Sequence, residues 1–78
     1  MTTPTMQRLA RNVTKLRKQK KLIQRHLGDK AGLTQSTISL IEMYRGDNVP
    51  VSTVEKIAQA LEVDPADLLW KEIEVKKW

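Results

Sequence analysis

The chain has no cysteine and no phenylalanine, and its aromatic residues are two Trp and one Tyr. Without cysteine there is no disulfide framework and no thiolate zinc site, so stability has to come from packing. Without phenylalanine the core has to be built from Leu, Ile, Val and Ala, the usual material of a small helical domain. Histidine occurs once, at His26, and no group of acids has metal-ligand spacing. With no cysteine nucleophile either, the composition argues against an enzyme and implies no metal and no cofactor. No apolar run approaches the ~20 residues of a membrane span, and no signal peptide is legible. A cytoplasmic, reducing setting is the expectation. At 78 residues the chain reads as one domain, 1–78, small enough that only ~60% of its unfolded surface can be buried.

Acid is also missing from the whole first third. Residues 1–28 carry Arg8, Arg11, Lys15, Arg17, Lys18, Lys20, Lys21 and Arg25 and no carboxylate, a net of +8. Residues 29–78 carry six bases and nine acids, a net of −3, which together make the total of +5. Such asymmetry suggests that the basic half is left free for a polyanion while the acidic, apolar half faces elsewhere. A merely solvated basic helix, or one that touches a membrane surface, is the plainer alternative. The latter needs large apolar anchors, and residues 6–21 offer modest ones.

The basic half runs directly into Leu22–Glu42, LIQRHLGDKAGLTQSTISLIE. The next helix is expected from near Ile23 to about Ala31, with Leu27 and Ala31 on one face. Gly32 stands where the chain must turn left-handed, a conformation glycine adopts cheaply. Thr34 can cap a second helix by accepting a hydrogen bond from an N–H near its start. Ile38 and Ile41 face inward, and Gly28 keeps the crossing point free of bulk. This spacing predicts a helix-turn-helix whose second helix enters the major groove. An ordinary helical hairpin with a polar surface shares the spacing. Left facing outward are Gln35, Ser36, Ser39 and Leu40, with Met43 at the far end. They are short and polar where a solvated face carries Lys and Glu pairs. Glutamine can bond adenine in a bidentate fashion, serine can bond several base edges, and Leu40 suits a thymine methyl.

Around this motif, Met1–Pro4 reads as a loose arm. A helix is predicted from Thr3–Thr5 to about Lys20, with Met6, Leu9, Ala10, Val13 and Leu16 on its apolar face. Gly46-Asp47-Asn48 and Pro50 mark a loop. Ser52 and Glu55 have capping-box spacing before a fourth helix that presents Val54, Ile57, Ala58 and Leu61. Asp64-Pro65 signals a fifth helix with Asp64 as cap, made apolar by Leu68, Leu69 and Trp70. In the tail, 71–78, Ile73 and Val75 alternate as on a strand, whereas Trp70 and Ile73 fit helical spacing. The segment's apolar residues, Leu69, Trp70, Ile73, Val75 and Trp78, exceed what one short helix can bury. They are candidates for a contact between two copies.

Five helices in this order, with Leu16-Arg17, Leu22–Gln24, AGLTQ at Ala31–Gln35, ISLIE at Ile38–Glu42 and IAQALEV…LL from Ile57 to Leu69, resemble one family. The chain looks like an all-α, λ-repressor-like DNA-binding domain of the Xre and phage repressor/Cro group, from about Leu9 to Trp70. The resemblance implies a helix-turn-helix formed by helices 2 and 3. It implies that Gln24 contacts a phosphate and braces the first residue of the recognition helix, Gln35. Gln35, Ser36 and Leu40 match base-reading positions, and Arg17 and Glu42 match a buried salt bridge tying the first helix to the third. The loop Met43–Asn48 matches one that lies along the DNA backbone. Three features depart from the family pattern. Lys21 stands where relatives commonly have glycine, Ile23 replaces the usual Ser/Thr cap, and the loop before Pro50 looks longer than in the shortest relatives.

Two layers of contact follow. Gln24, Lys20, Lys21, Arg25, Thr34, Thr37, Met43 and Arg45 are expected at the DNA backbone, and Gln35, Ser36, Ser39 and Leu40 at base edges. A single recognition helix reads few base pairs, so a homodimer on a twofold double-stranded operator is expected, with half-sites ~34 Å apart. Repression is the simplest consequence. The resemblance implies a bacterial, nucleoid-associated protein, phage- or prophage-encoded in some of the fitting settings. A restriction-modification controller fits as well. So does an antitoxin, which would add a toxin partner.

Overall fold

The computed structural model describes residues 3–43 and 49–73, and five helices make up its secondary structure: α1 (Pro4–Gln19), α2 (Gln24–Ala31), α3 (Gln35–Glu42), α4 (Val51–Leu61) and α5 (Pro65–Trp70). Each begins where local chemistry allows. Thr3 caps α1 by accepting from the Met6 N–H at 3.2 Å, with Pro4 in the first turn. Asp64 does the same for α5, accepting from Ala66 N–H at 2.9 Å, with Pro65 following. These two prolines cost nothing, because the first amides of a helix have no intrahelical partner.

The start of α4 differs from expectation. The helix begins at Val51, flanked by Pro50 with φ −60°, and no side chain caps it. Thr53 and Val54 N–H both donate to the Pro50 carbonyl, at 3.0 and 3.1 Å. Ser52 therefore lies inside the first turn and forms no capping box with Glu55. Pro50 already has the fixed φ of a helix flank and a carbonyl free to start the ladder, so the helix gains two residues upstream.

Three helices end in the same way. A left-handed residue follows the last turn, and the next residue's N–H reaches back five positions. Leu22 N–H donates to Arg17 O at 3.0 Å, Leu33 to Gly28 O at 2.8 Å and Val63 to Ala58 O at 3.0 Å. The left-handed residues are Lys21 (φ 59°), Gly32 (φ 71°) and Glu62 (φ 60°). Glycine is the unstrained choice there; Lys21 and Glu62 each carry about 1 kcal/mol of strain instead.

All five helices feed one apolar cluster: Leu9, Val13 and Leu16 from α1, Leu27 and Ala31 from α2, Ile38 and Ile41 from α3, Val54, Ile57, Ala58 and Leu61 from α4, and Leu68 from α5. Each fully buried Leu or Ile contributes roughly 1.5–3 kcal/mol. Helix α1 packs against α3, α4 and α5, while α2 packs against α3 and α4.

Among the described residues one polar side chain is completely buried, Asn12 on α1. Its amide nitrogen donates to Leu68 O at 2.8 Å, Lys71 O at 2.7 Å and, more weakly, Asp67 O at 3.4 Å. Its amide oxygen accepts from Ile73 N–H at 3.2 Å. Helix α5 stops at Trp70, and Lys71 is extended (φ −102°, ψ 144°), so helical spacing does not continue to Ile73. Trp70 is 64% exposed, while Leu68 is buried and Ile73 packs against the core. Arg45, Val75 and Trp78 lie outside the described residues.

Candidate nucleic-acid interface

The geometry of α2 and α3 rests on two glycines with different jobs. Gly32 supplies the left-handed turn, and Gly28 supplies proximity. A Cβ at Gly28 would lie 2.8 Å from Leu33 O, 3.2 Å from Thr34 C and 3.3 Å from Gln35 N. All three atoms are backbone, so the start of α3 crosses α2 at a distance only a missing side chain permits. Thr34 then caps α3, its hydroxyl accepting from Thr37 N–H at 3.1 Å and lying 3.0 Å from the Thr37 hydroxyl. Ile38 and Ile41 are buried beneath, which sets the rotation of α3 about its axis.

That rotation leaves Gln35, Ser36 and Leu40 exposed and Ser39 and Thr37 half-buried. Gln35, Ser36, Ser39 and Leu40 line one shallow, open concavity. Leu40 is 51% and Met43 52% exposed. The helix bears one charged residue, Glu42, whose side chain is 6% exposed. Its outer face is thus short, uncharged and free to approach a polyanion without like-charge repulsion. The four residues are not equivalent. The Ser39 hydroxyl is turned along the helix to Met43 Sδ at 3.5 Å, a weak acceptor, whereas Gln35 and Ser36 have no such tether among the described residues.

A buried polar network fixes this helix to the rest of the protein. Arg17 donates from Nε to Glu42 Oε2 at 2.7 Å and from Nη2 to Oε1 at 3.0 Å, a forked pair with Arg17 11% exposed. Its remaining nitrogen, Nη1, donates to Leu22 O at 2.8 Å. Gln24 Nε2 adds a bond to Glu42 Oε1 at 3.2 Å. Gln24 therefore braces the last residue of α3, not Gln35 at its start, because the carboxylate offers a charged acceptor. An amide nitrogen has two N–H groups, so the second stays available at the protein surface.

The basic half of the chain divides in two. Arg8 and Arg11 both donate to Glu72 Oε1 at 3.0 Å, Arg8 also reaches Leu69 O at 3.2 Å, and Lys15 Nζ donates to Ile73 O at 3.1 Å. With Arg17 committed to Glu42, half of the bases before residue 28 serve the fold. This corrects the view that the whole segment is left for a polyanion: the N-terminal half of α1 faces the residues after α5. Lys18, Lys20, Lys21 and Arg25 are exposed and make no ion pair with a described residue. In sequence they flank the start of α2, where Ile23 offers no side-chain cap. The leading amides of α2 therefore lack a side-chain cap within a stretch of sequence carrying four exposed cations, a combination that favours an anion. Functional residues not anticipated in the sequence are Asn12, Arg8, Arg11, Lys15 and Glu72. The available signal was Asn12, a polar residue within the stripe of Leu9, Val13 and Leu16.

Two short helices set by Gly28 and Gly32, an uncharged outward face and adjacent free cations define a DNA-binding protein of the helix-turn-helix class. A family model described as helix-turn-helix, HTH_3, matches residues 13–68, and the chain belongs to that family, the Xre/Cro/C1-like regulators. Among solved structures it is similar to a hypothetical transcription factor, NHTF, from Neisseria. That match has 30% identity and a TM-score of 0.78, and it covers 88% of this chain and 82% of that one. It is also similar to the restriction-modification controller protein C.AhdI from Aeromonas hydrophila, at 27% identity and a TM-score of 0.77, covering 85% of this chain and 98% of that one. No curated protein matches the chain. The family is one of DNA-binding regulators. No helix among the described residues is long and apolar enough to cross a membrane.

Proposed function

We propose that the protein is a transcriptional repressor that binds a twofold operator as a homodimer. The observation that carries the reading is the outward face of α3, uncharged and lined by Gln35, Ser36, Ser39 and Leu40. Gln35 and Ser36 read base edges, and Leu40 packs against a thymine methyl. Ser39 contributes less, its hydroxyl being tied to Met43. Lys20, Lys21, Arg25, the start of α2 and the second N–H of Gln24 hold phosphates, as do Thr34, Thr37 and Met43 at the two ends of α3. Arg45, in the segment after α3, joins them. These contacts set affinity and register but not sequence.

One recognition helix reads too few base pairs for useful specificity, which supports pairing. Leu69, Trp70, Ile73 and Val75 form the contact between copies, with Trp70 as its exposed aromatic anchor. Blocking polymerase at the operator accounts for repression, and the bacterial nucleoid is where such a protein acts. The restriction-modification controller among the similar structures favours a self-contained regulator over an antitoxin.

Selection of bound DNA from a random pool at stated salt tests the reading. The expected product is a twofold site. Gln35→Ala is expected to cost ~1–3 kcal/mol on that site and to relax selection at one base position per half-site. An unchanged selected motif would show that α3 does not read sequence through Gln35.

A further inference from the structure

Helix α1 is held at both ends by partners far away in sequence. Near one end Arg17 grips Glu42, and with it the recognition helix. On the other half, Arg8, Asn12 and Lys15 lie four and three residues apart, one above the next on a single face. Together they grip the chain from Leu68 to Ile73. Asn12 bonds Leu68 O, Lys71 O and Ile73 N–H, Arg8 bonds Leu69 O, and Lys15 bonds Ile73 O. These five contacts are to main-chain atoms, and Arg8 adds a bond to the Glu72 carboxylate. The main-chain part of the grip, which includes all of Asn12's bonds, specifies a path for the backbone whatever side chains lie on it. Both backbone groups of Ile73 are engaged, as in a strand beside its neighbour, but the partners here are side chains of a helix. A 16-residue α1 is about 24 Å long and stiff. It spans the distance between the helix that reads DNA and the segment proposed to join two copies.

We infer that Asn12, aided by Arg8 and Lys15, is a positioning residue that sets the half-site spacing the dimer selects. This rests on the dimeric reading above. The separation of two recognition helices is fixed only if the joining segment is rigid relative to α3. One extra base pair moves a half-site by about 3.4 Å and turns it by about 35°. A segment able to swing about Trp70 would tolerate several spacings; one held at Lys71 and Ile73 does not. Asn12 suits the task better than the neighbouring ion pairs do. It is fully buried and neutral with its donors and acceptor satisfied, so salt does not weaken it, whereas the Glu72 pairs are exposed and screened.

The test uses the 78-residue chain, Asn12→Leu and the double variant Arg8→Met/Lys15→Met, which leaves the core untouched. Each is offered a library of two selected half-sites separated by every spacing over one helical turn, and sedimentation reports the oligomeric state on DNA. The unaltered protein is expected to prefer one spacing by about tenfold or more over its neighbours. The variants are expected to read the same half-site and still pair, while that preference falls to about threefold or less. Keeping the full preference in both variants would overturn the role of Asn12 while leaving the dimer intact. An unaltered protein that pairs but accepts many spacings would overturn it as well. One that occupies half-sites singly would overturn the dimeric reading and the inference together. If Asn12→Leu does not fold, Asn12→Ser, smaller and still polar, takes its place in the same library, and a full preference kept by it overturns the role.

Discussion

Replacing Glu42 with alanine would leave the Arg17 guanidinium in the interior without its counter-ion. Arg17 is 11% and Glu42 6% exposed, and the pair is forked at 2.7 and 3.0 Å. The variant loses both charge-assisted bonds and the Gln24 bond to the same carboxylate, while Arg17 keeps only Leu22 O. Stranding one member of such a pair costs ~3–5 kcal/mol. A domain of this size has about 4–12 kcal/mol in total, so the loss consumes a large part of it. The midpoint of thermal unfolding should fall by at least about 12 °C, taking ~4 °C per kcal/mol for a domain of this length. The double variant Arg17→Met/Glu42→Leu removes both charges and fills the site with apolar atoms, so it should be less damaged than Glu42→Ala alone. Urea unfolding followed by circular dichroism gives both values, with an unchanged slope confirming that stability alone has moved. A loss below about 1 kcal/mol, the worth of a solvent-screened surface pair, would refute the argument. So would a double variant less stable than the single one.

Gly28→Ala should cost about 1–3 kcal/mol, because the new Cβ meets the Leu33 carbonyl at 2.8 Å and backbone cannot move aside like a side chain. DNA affinity should drop with it, since the displaced atoms begin α3; a variant neutral in both melt and binding would contradict this. Lys21→Gly should move two assays in opposite directions. Stability rises by up to about 1 kcal/mol as the left-handed strain at φ 59° is relieved, while DNA binding weakens on all sequences and its salt slope falls by about one. Glu72 is expected to make the melt acid-sensitive. Its carboxyl is held below the ordinary carboxylate range, chiefly by the hydrogen bond from Arg8, with desolvation opposing it and Arg11 adding to it. A depressed folded value stabilises above the ordinary range and is lost as pH falls through it. The gap in melting temperature between the native protein and Glu72→Gln should therefore close in acid; a gap independent of pH would exclude the linkage.

The parts of the fold that depend on neighbouring residues were legible from the chain alone. Thr3, Thr34 and Asp64 cap helices because a short side-chain oxygen reaches an amide two or three residues on, and Gly32 turns because nothing else turns as cheaply. The apolar stripes identified the core for the same reason. Ser52 misled because two local rules competed and Pro50 prevailed. The polar contacts over long range were less accessible. Asn12 looks like the border of an apolar stripe, and its partners stand 55 to 61 residues away. The division of the basic half was equally hidden, since a charge count sums side chains without knowing their direction. Arg8, Arg11 and Lys15 bond the segment from Leu69 to Ile73, whereas Lys20, Lys21 and Arg25 are exposed and pair with no described residue. The uncharged outer face of α3, by contrast, was visible in the chain as a run of short polar residues. Folding added the distinction that Ser39 is tethered while Gln35 and Ser36 are not.

The way Asn12 is satisfied also bears on how the chain is made. Helix α1 emerges from the ribosome first, but the atoms that complete its buried amide belong to Leu68, Lys71 and Ile73. Contacts among α2, α3 and α4 are local and can form early, whereas α1 finds its full set of partners only once residue 73 is free. Until then a docked α1 carries an unmet polar group into the core, at about 1–3 kcal/mol. Chains broken off short of Ile73 keep that defect permanently. They open more often and are the ones a cellular protease meets unfolded. A single buried amide thus rewards only those molecules whose translation has passed Ile73.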